Sequence, residues 1–143
     1  MSDESALVVL SLEYADAVRA RDVDRWAATW TDDARWVLGP GREVAGRDAI
    51  VEMWRASIAR YASVVQLYLA TTYDVDAVDA GVASGRCELL ELNVLADGSR
   101  HVMAGHYADT YSRTAAGWRF TSRALTKYYA GPPDLSAAFV PFA

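Results

Sequence analysis

The hydrophobic period of this chain changes once, near residue 63, and the change separates a helical part from a part made of strands. Before it, apolar residues recur at three- and four-residue steps. Over 4–20, Leu7, Leu10, Tyr14, Ala17 and Val18 fall on one stripe while Glu4, Glu13 and Asp16 fall elsewhere, which predicts an amphipathic helix with Tyr14 on its buried side. Asp22 is placed to cap a second, shorter helix ending near Asp33, with Val23, Trp26, Ala27 and Trp30 as its apolar face. Short strands at 34–38 and around Val44 flank the Gly39-Pro40-Gly41 turn. Beyond Gly46, Ile50, Met53, Trp54, Ser57, Ile58 and Tyr61 share one face of a third helix.

From Ser63 the chain reads as four long strands, at about 63–73, 82–95, 100–113 and 118–129. Ala80-Gly81, Asp97-Gly98 and the Thr-Ala-Ala-Gly run at 114–117 supply the turns. Three N-terminal helices followed by a meander of strands predict an α+β fold with the helices packed on a strongly bent, mainly antiparallel sheet. Such a cone, closed by helices on one side and open on the other, is a natural site for a small apolar ligand. One domain over 1–143 is expected, ending in an apolar tail at 130–143 whose paired prolines exclude sheet interior and whose Phe-Val-Pro-Phe ending could dock on a neighbour.

Composition narrows the partners. A net charge of −5 with a single lysine, Lys127, argues against nucleic acid and against an anionic membrane. Cys87 is the only cysteine, so neither an intramolecular disulfide nor a thiolate metal cluster can form. The two histidines, His101 and His106, are separated by an odd step and face opposite ways on one strand, which makes a metal site unexpected. The acidic N-terminus lacks a cleavage pattern and no apolar run reaches membrane-spanning length, so a soluble, cytoplasmic protein without cofactor is expected.

The chemistry-bearing residues cluster on strands. Met103, Gly105, Tyr107, Asp109 and Tyr111 occupy alternate positions and share one face of the third long strand. If that face is the inner one, Asp109 could meet Tyr14 from the first helix, and the two would form a pair of oxyanion donors provided burial kept the acid neutral. Arg123, Leu125 and Lys127 share a face of the last strand, and an Arg123 beside Asp109 would instead keep the acid ionised in a salt bridge. These two arrangements exclude each other. Glu88 and Glu91 must face opposite ways, and an inward Glu91 would be a candidate general base. Trp36, on a short strand bordering the cone, is the tryptophan best placed to line a pocket.

The segment from Tyr14 to Ile50, with its helix–Asp–helix–TDDA–strand run and its GRDAI helix opening, together with GHYADTYSRTAAGWRF near the end, resembles the SnoaL-like branch of the NTF2-like superfamily over almost the whole chain. The resemblance implies the cone fold; that superfamily mixes lyases, isomerases, cyclases, hydrolases and non-enzymatic domains. Tyr14 and Asp109 match the oxyanion-hole positions of the steroid isomerases, while the position of their base is Leu38. In scytalone dehydratase and the dehydrochlorinases a His on the first long strand pairs with an Asp late in the first helix; those positions fall on Leu67 and Arg19, and a one-residue shift would put Gln66 in place of Leu67. Arg123 matches an arginine of the dehydrochlorinases. No acid stands on the last strand where the polyketide cyclases keep theirs.

These readings lead to a cofactor-independent lyase, such as a dehydratase, or an isomerase acting on a small hydrophobic molecule. Tyr14 and Asp109 would polarise an oxygen, Arg123 would anchor a negative group, and Glu91 or Asp109 would move the proton. Arg19, Trp36, Leu38, Leu67, Met103, Tyr107 and Lys127 are the expected substrate contacts. The missing base positions support the other reading, a non-catalytic ligand-binding or assembly domain; a third is the small subunit of a larger oxygenase. A homodimer or homotrimer is expected, because no helix remains to cover the outer face of the sheet, where His106 and Thr110 project.

Overall fold

The computed structural model describes residues 1–77 and 79–141. It is an α+β fold in which three helices pack on a six-stranded mixed sheet. Helix α1 (Asp3–Ala20) starts at Ser2, whose hydroxyl accepts from the Ser5 amide, and ends at Arg21 in the left-handed region, φ 56°. Asp22 then caps α2 (Val23–Ala27) by accepting from the Arg25 amide. This helix is shorter than its apolar spacing suggests. The Thr29 carbonyl accepts from the Phe120 amide, and the chain from Trp30 runs as strand β1 (Trp30–Val37), so tertiary pairing overrides helical periodicity over 30–33.

After β2 (Glu43–Ala45) and α3 (Arg47–Ile58) come the four long strands β3 (Tyr61–Val75), β4 (Val82–Leu95), β5 (Arg100–Thr114) and β6 (Gly117–Gly131). The two short strands fall between α2 and α3 on either side of the Gly39-Pro40-Gly41 turn, as expected, and three helices form, the second of them reduced to the single short turn Val23–Ala27. The sheet order is β2-β1-β6-β5-β4-β3, with every pairing antiparallel except β1 with β6.

Bulges decide which side chains look inward. Thr110 pairs with Ser122 and Tyr111 with Phe120, leaving Thr121 as the extra residue on β6. That insertion puts both Phe120 and Arg123 on the helix-covered face, although they differ by an odd number of positions. Tyr128 is a second extra residue on β6, between the partners of Gly105 and Ala104. There the strands press so close that a β-carbon on Gly105 would come 2.3 Å from the Thr126 carbonyl oxygen. The chain needs glycine at this position.

Between helices and sheet lies a core rich in aromatic rings. Trp26 stacks on Trp54 with centroids 4.5 Å apart and meets Trp30 and Trp36 edge-on, while Tyr14 packs against Trp26, Trp30 and Phe120. Past Gly131 the tail turns back over its own strand: the Tyr129 hydroxyl donates to the Pro132 carbonyl at 2.6 Å, the Val140 amide donates to the Tyr128 carbonyl, and Phe139 lies on Tyr129. The final Phe142 of the tail motif lies outside the described residues. Among the described residues no helix is long and apolar enough to cross a membrane.

Candidate active site in the cavity above a buried ion pair

Asp109 on β5 and Arg123 on β6 sit directly opposite each other in register. Arg123 Nε donates to Oδ1 at 2.8 Å and Nη2 to Oδ2 at 3.0 Å, a two-pronged pair in which neither side chain has any solvent exposure. The guanidinium is packed between rings, 4.0 Å from the centroid of Tyr107, 4.3 Å from Phe120 and 4.4 Å from Tyr14. Burial raises the Asp109 carboxyl above its ordinary value, and the facing Arg123 offsets only part of that rise. Burial would lower Arg123, but the facing carboxylate, together with Tyr68 and Tyr14, more than reverses this and holds the guanidinium well above its ordinary range. The pair is ionic for a geometric reason. The Tyr111 hydroxyl donates to Oδ2 as well, at 3.2 Å, so three donors converge on two oxygens, and the two guanidinium prongs, which cannot accept, call for a carboxylate.

The third prong of the guanidinium leads out of the core. Arg123 Nη1 donates to the Tyr68 hydroxyl at 3.0 Å, Tyr68 donates to the Gln66 carbonyl at 3.3 Å, and Gln66 Nε2 donates to Glu91 Oε2 at 2.8 Å. Asn93 Nδ2 holds the other oxygen, Oε1, at 2.9 Å. A continuous run of hydrogen bonds thus joins the buried ion pair to the carboxylate of Glu91. Two of its members, Gln66 and Glu91, are paired across β3 and β4.

Glu91 faces a cavity of about 180 Å³ between the helices and the sheet. Tyr14, Trp36, Trp54 and Tyr107 are among its aromatic lining; Arg60, Gln66, Glu91, Asn93, His101 and Lys127 are among its polar lining. Trp36 Nε1 points at the Tyr107 hydroxyl at 3.4 Å, which leaves the Tyr107 proton with no acceptor among the described residues. The Asn93 carbonyl oxygen and His101 Nδ1 are buried without a hydrogen-bond partner among the described residues. No group of three His, Cys, Asp or Glu side chains among the described residues could hold a metal ion.

Burial pushes the Tyr107 phenol up to about 12 and raises those of Tyr14, Tyr68 and Tyr111 above their ordinary value. A phenol whose folded pKa lies above its unfolded value stabilises the fold fully below the unfolded value near 10 and loses that contribution as pH rises through its folded value. A spectrophotometric titration should therefore leave these four tyrosines, of eight in the chain, protonated at pH 10 and release them together on alkaline unfolding. Eight phenols titrating normally around pH 10 would contradict this burial.

Several residues singled out from the sequence meet here and others do not. Tyr14, Trp36, Leu38, Glu91, Met103, Tyr107 and Lys127 line the cavity. Asp109 and Arg123 lie beneath its floor and are not among its lining residues. Tyr14 and Asp109 meet only through Arg123, which offers its ring-facing surface to one and its edge to the other. Two expected contacts are corrected. Leu67 is 42% exposed on the outer face, because strand alternation gives the inner position to Gln66. Arg19 is out on the surface of α1, paired with Asp16 at 2.6 Å. Of the lining residues that were not among the expected substrate contacts, Gln66, Asn93 and His101 carried one usable signal, the same parity as Val64, Glu91 and Met103 on their strands. Arg60, at the end of α3, carried none.

A mixed sheet whose helices enclose a small cavity walled by aromatic and polar side chains, with one inward carboxylate, defines an α+β domain with an internal site. The model of the SnoaL-like domain matches residues 1–124, and the chain belongs to that family, within the NTF2-like superfamily. Three solved structures show the same fold. A candidate scytalone dehydratase from Novosphingobium aromaticivorans DSM 12444 is 18% identical, with 95% of this chain and 91% of that chain covered and a TM-score of 0.83. The hexachlorocyclohexane dehydrochlorinase LinA-type3 from Novosphingobium barchaimii LL02 is 21% identical over 96% and 94%, with a TM-score of 0.79. A candidate aromatic ring hydroxylase from Novosphingobium aromaticivorans DSM is 25% identical over 94% and 96%, with a TM-score of 0.80. No curated protein matches the chain.

Proposed function

We propose that this protein is a cofactor-independent lyase or isomerase that takes a proton from a carbon beside an oxygen-bearing group of a hydrophobic substrate. The observation that carries the reading is Glu91: a carboxylate whose two oxygens are held by neutral amides on the wall of an aromatic cavity. A carboxylate has about four acceptor sites, so two such bonds fix its direction and leave lone pairs to receive a proton. Tyr107, with its proton uncommitted, donates to the substrate oxygen, and Tyr14 stands on the same wall. Negative charge developing on that oxygen is stabilised by phenols already in place, which is how enzymes without metals lower such barriers. Asp109 and Arg123 hold the run of bonds that orients Glu91 and take no proton themselves. Two of the similar structures carry the names of eliminating enzymes, a dehydratase and a dehydrochlorinase, which favours the lyase class.

The test uses a bicyclic ketone with acidic C–H bonds. In deuterium oxide the wild-type protein should speed the exchange of 2-tetralone protons, followed by NMR, and Glu91→Gln should remove the acceleration. No acceleration across a panel of cyclic ketones, or an equal one from the variant, overturns the reading in favour of a non-catalytic binding domain. Leu38, an apolar residue on the cavity wall at the base position of the steroid isomerases, is the observation that favours that second reading. We also propose a homo-oligomer, supported by the exposed Leu67, Leu69 and Leu92 on the outer strands β3 and β4.

A further inference from the structure

We infer that the cavity takes a ligand with an apolar, ring-sized body and one anionic oxygen group, a carboxylate, held by Arg60 and Lys127. The inference rests on the reading of this cavity as the substrate site and adds the charge of what enters it. The chain carries a net charge of −5 and only one lysine, yet that lysine and an arginine both stand on this wall. Neither side chain makes an ion pair or a hydrogen bond among the described residues. Most other surface arginines do. Arg19 and Arg25 pair with acids of α1, Arg35 with Glu43, Arg47 with Asp32, Arg86 with Glu88 and Arg113 with Asp3. The only acid on the cavity wall, Glu91, takes its bonds from Gln66 and Asn93 instead of from either cation.

Both cations therefore line the cavity without an ion-pair partner, and Glu91 is the one acid on the same wall. Arg60 directly precedes β3 and Asn93 lies opposite His101 in register, so the polar residues gather where β3, β4 and β5 meet. Lys127 lines the same cavity from β6, where it pairs with Gly105, four residues along β5 from His101. Two unpaired cations on the wall of one cavity raise the local concentration of an anion there. His101 Nδ1, buried and without a partner among the described residues, is a further polar atom at the same place. Arg123, the cation that sequence reasoning assigned to this task, is already used by Asp109 and Tyr68.

Calorimetric titration of the full chain with 2-naphthoate and with its neutral isostere 2-naphthamide separates the possibilities. The carboxylate should bind at least about ten-fold tighter than the amide, the worth of one charge-assisted contact. Arg60→Ala and Lys127→Ala should each remove most of that preference without weakening the amide, Arg60→Lys should keep it, and 0.5 M salt should narrow it. Equal binding of the two probes, or a preference that survives the double alanine variant, overturns the anionic ligand and leaves the cavity reading standing. Binding of neither probe overturns both. Both side chains are largely exposed, so circular dichroism should show every variant folded.

Discussion

Replacing Asp109 by alanine is expected to destabilise the protein by about 3–5 kcal/mol, because it strands a guanidinium in the core with its partner gone. Arg123 has no exposed surface and cannot reach water without dismantling the aromatic packing around it. It cannot shed its charge either, since an arginine stays protonated under all ordinary conditions. For a chain whose total stability is of the order of 5–15 kcal/mol, this is a large share, visible as a fall of roughly 2 M in the urea midpoint. Asp109→Asn should lose nearly as much, because an amide offers one oxygen to donors that now meet two. The combined change Asp109→Leu with Arg123→Met should recover most of the loss, since it leaves no buried charge unpaired and only the neutral hydroxyls of Tyr68 and Tyr111 lose a partner. A single substitution that lowers the stability by less than about 1 kcal/mol would show that the pair is not ionic.

The second large effect is on chemistry. Glu91→Gln keeps the shape of the side chain and removes the group that accepts the proton, so catalysed exchange of 2-tetralone should fall by about 10²–10⁴-fold. Because Glu91 is on the cavity wall and its neighbours are polar, the fold should survive, with the urea midpoint moving far less than in the Asp109 variants. Glu91→Asp keeps the base but retracts it by one methylene, away from the Gln66 and Asn93 amides, and an intermediate rate is expected. The two sets of variants should separate cleanly. Asp109 changes act on stability, whereas Glu91 changes act on rate.

Much of this arrangement could be read from residue spacing, and the exceptions have physical causes. Alternation on β5 placed Tyr107, Asp109 and Tyr111 on one face, and all three are buried together. The opposite parity of Glu88 and Glu91 required one to look inward, and it is Glu91. What alternation cannot show is a bulge. A count in steps of two along β6 separates Phe120 from Arg123, and only the extra residue Thr121 brings both against Tyr14. Thr110 steadies that bulge on the outer face, its hydroxyl 2.6 Å from Thr121 and 2.7 Å from Ser122. Nor does any local signal announce that β1 joins β6 in parallel, which is why the apolar spacing of Trp26 and Trp30 suggests a longer helix than forms. Leu67 and Arg19 came from a correspondence with relatives, and a shift of one strand residue was enough to turn a cavity position into an exposed one.

The account turns on the protonation of one carboxyl. If Asp109 is ionised, it belongs to Arg123, and the proton of the reaction passes to Glu91; if it is neutral, it becomes a donor and the roles exchange. The ¹³C chemical shift of the Asp109 side-chain carboxyl, measured at pH 7 in labelled protein and assigned by comparison with the stable double variant, decides this directly. The expected result is the shift of a carboxylate. The shift of a protonated acid at that pH would contradict the ion pair and, with it, the division of labour between the core and the cavity.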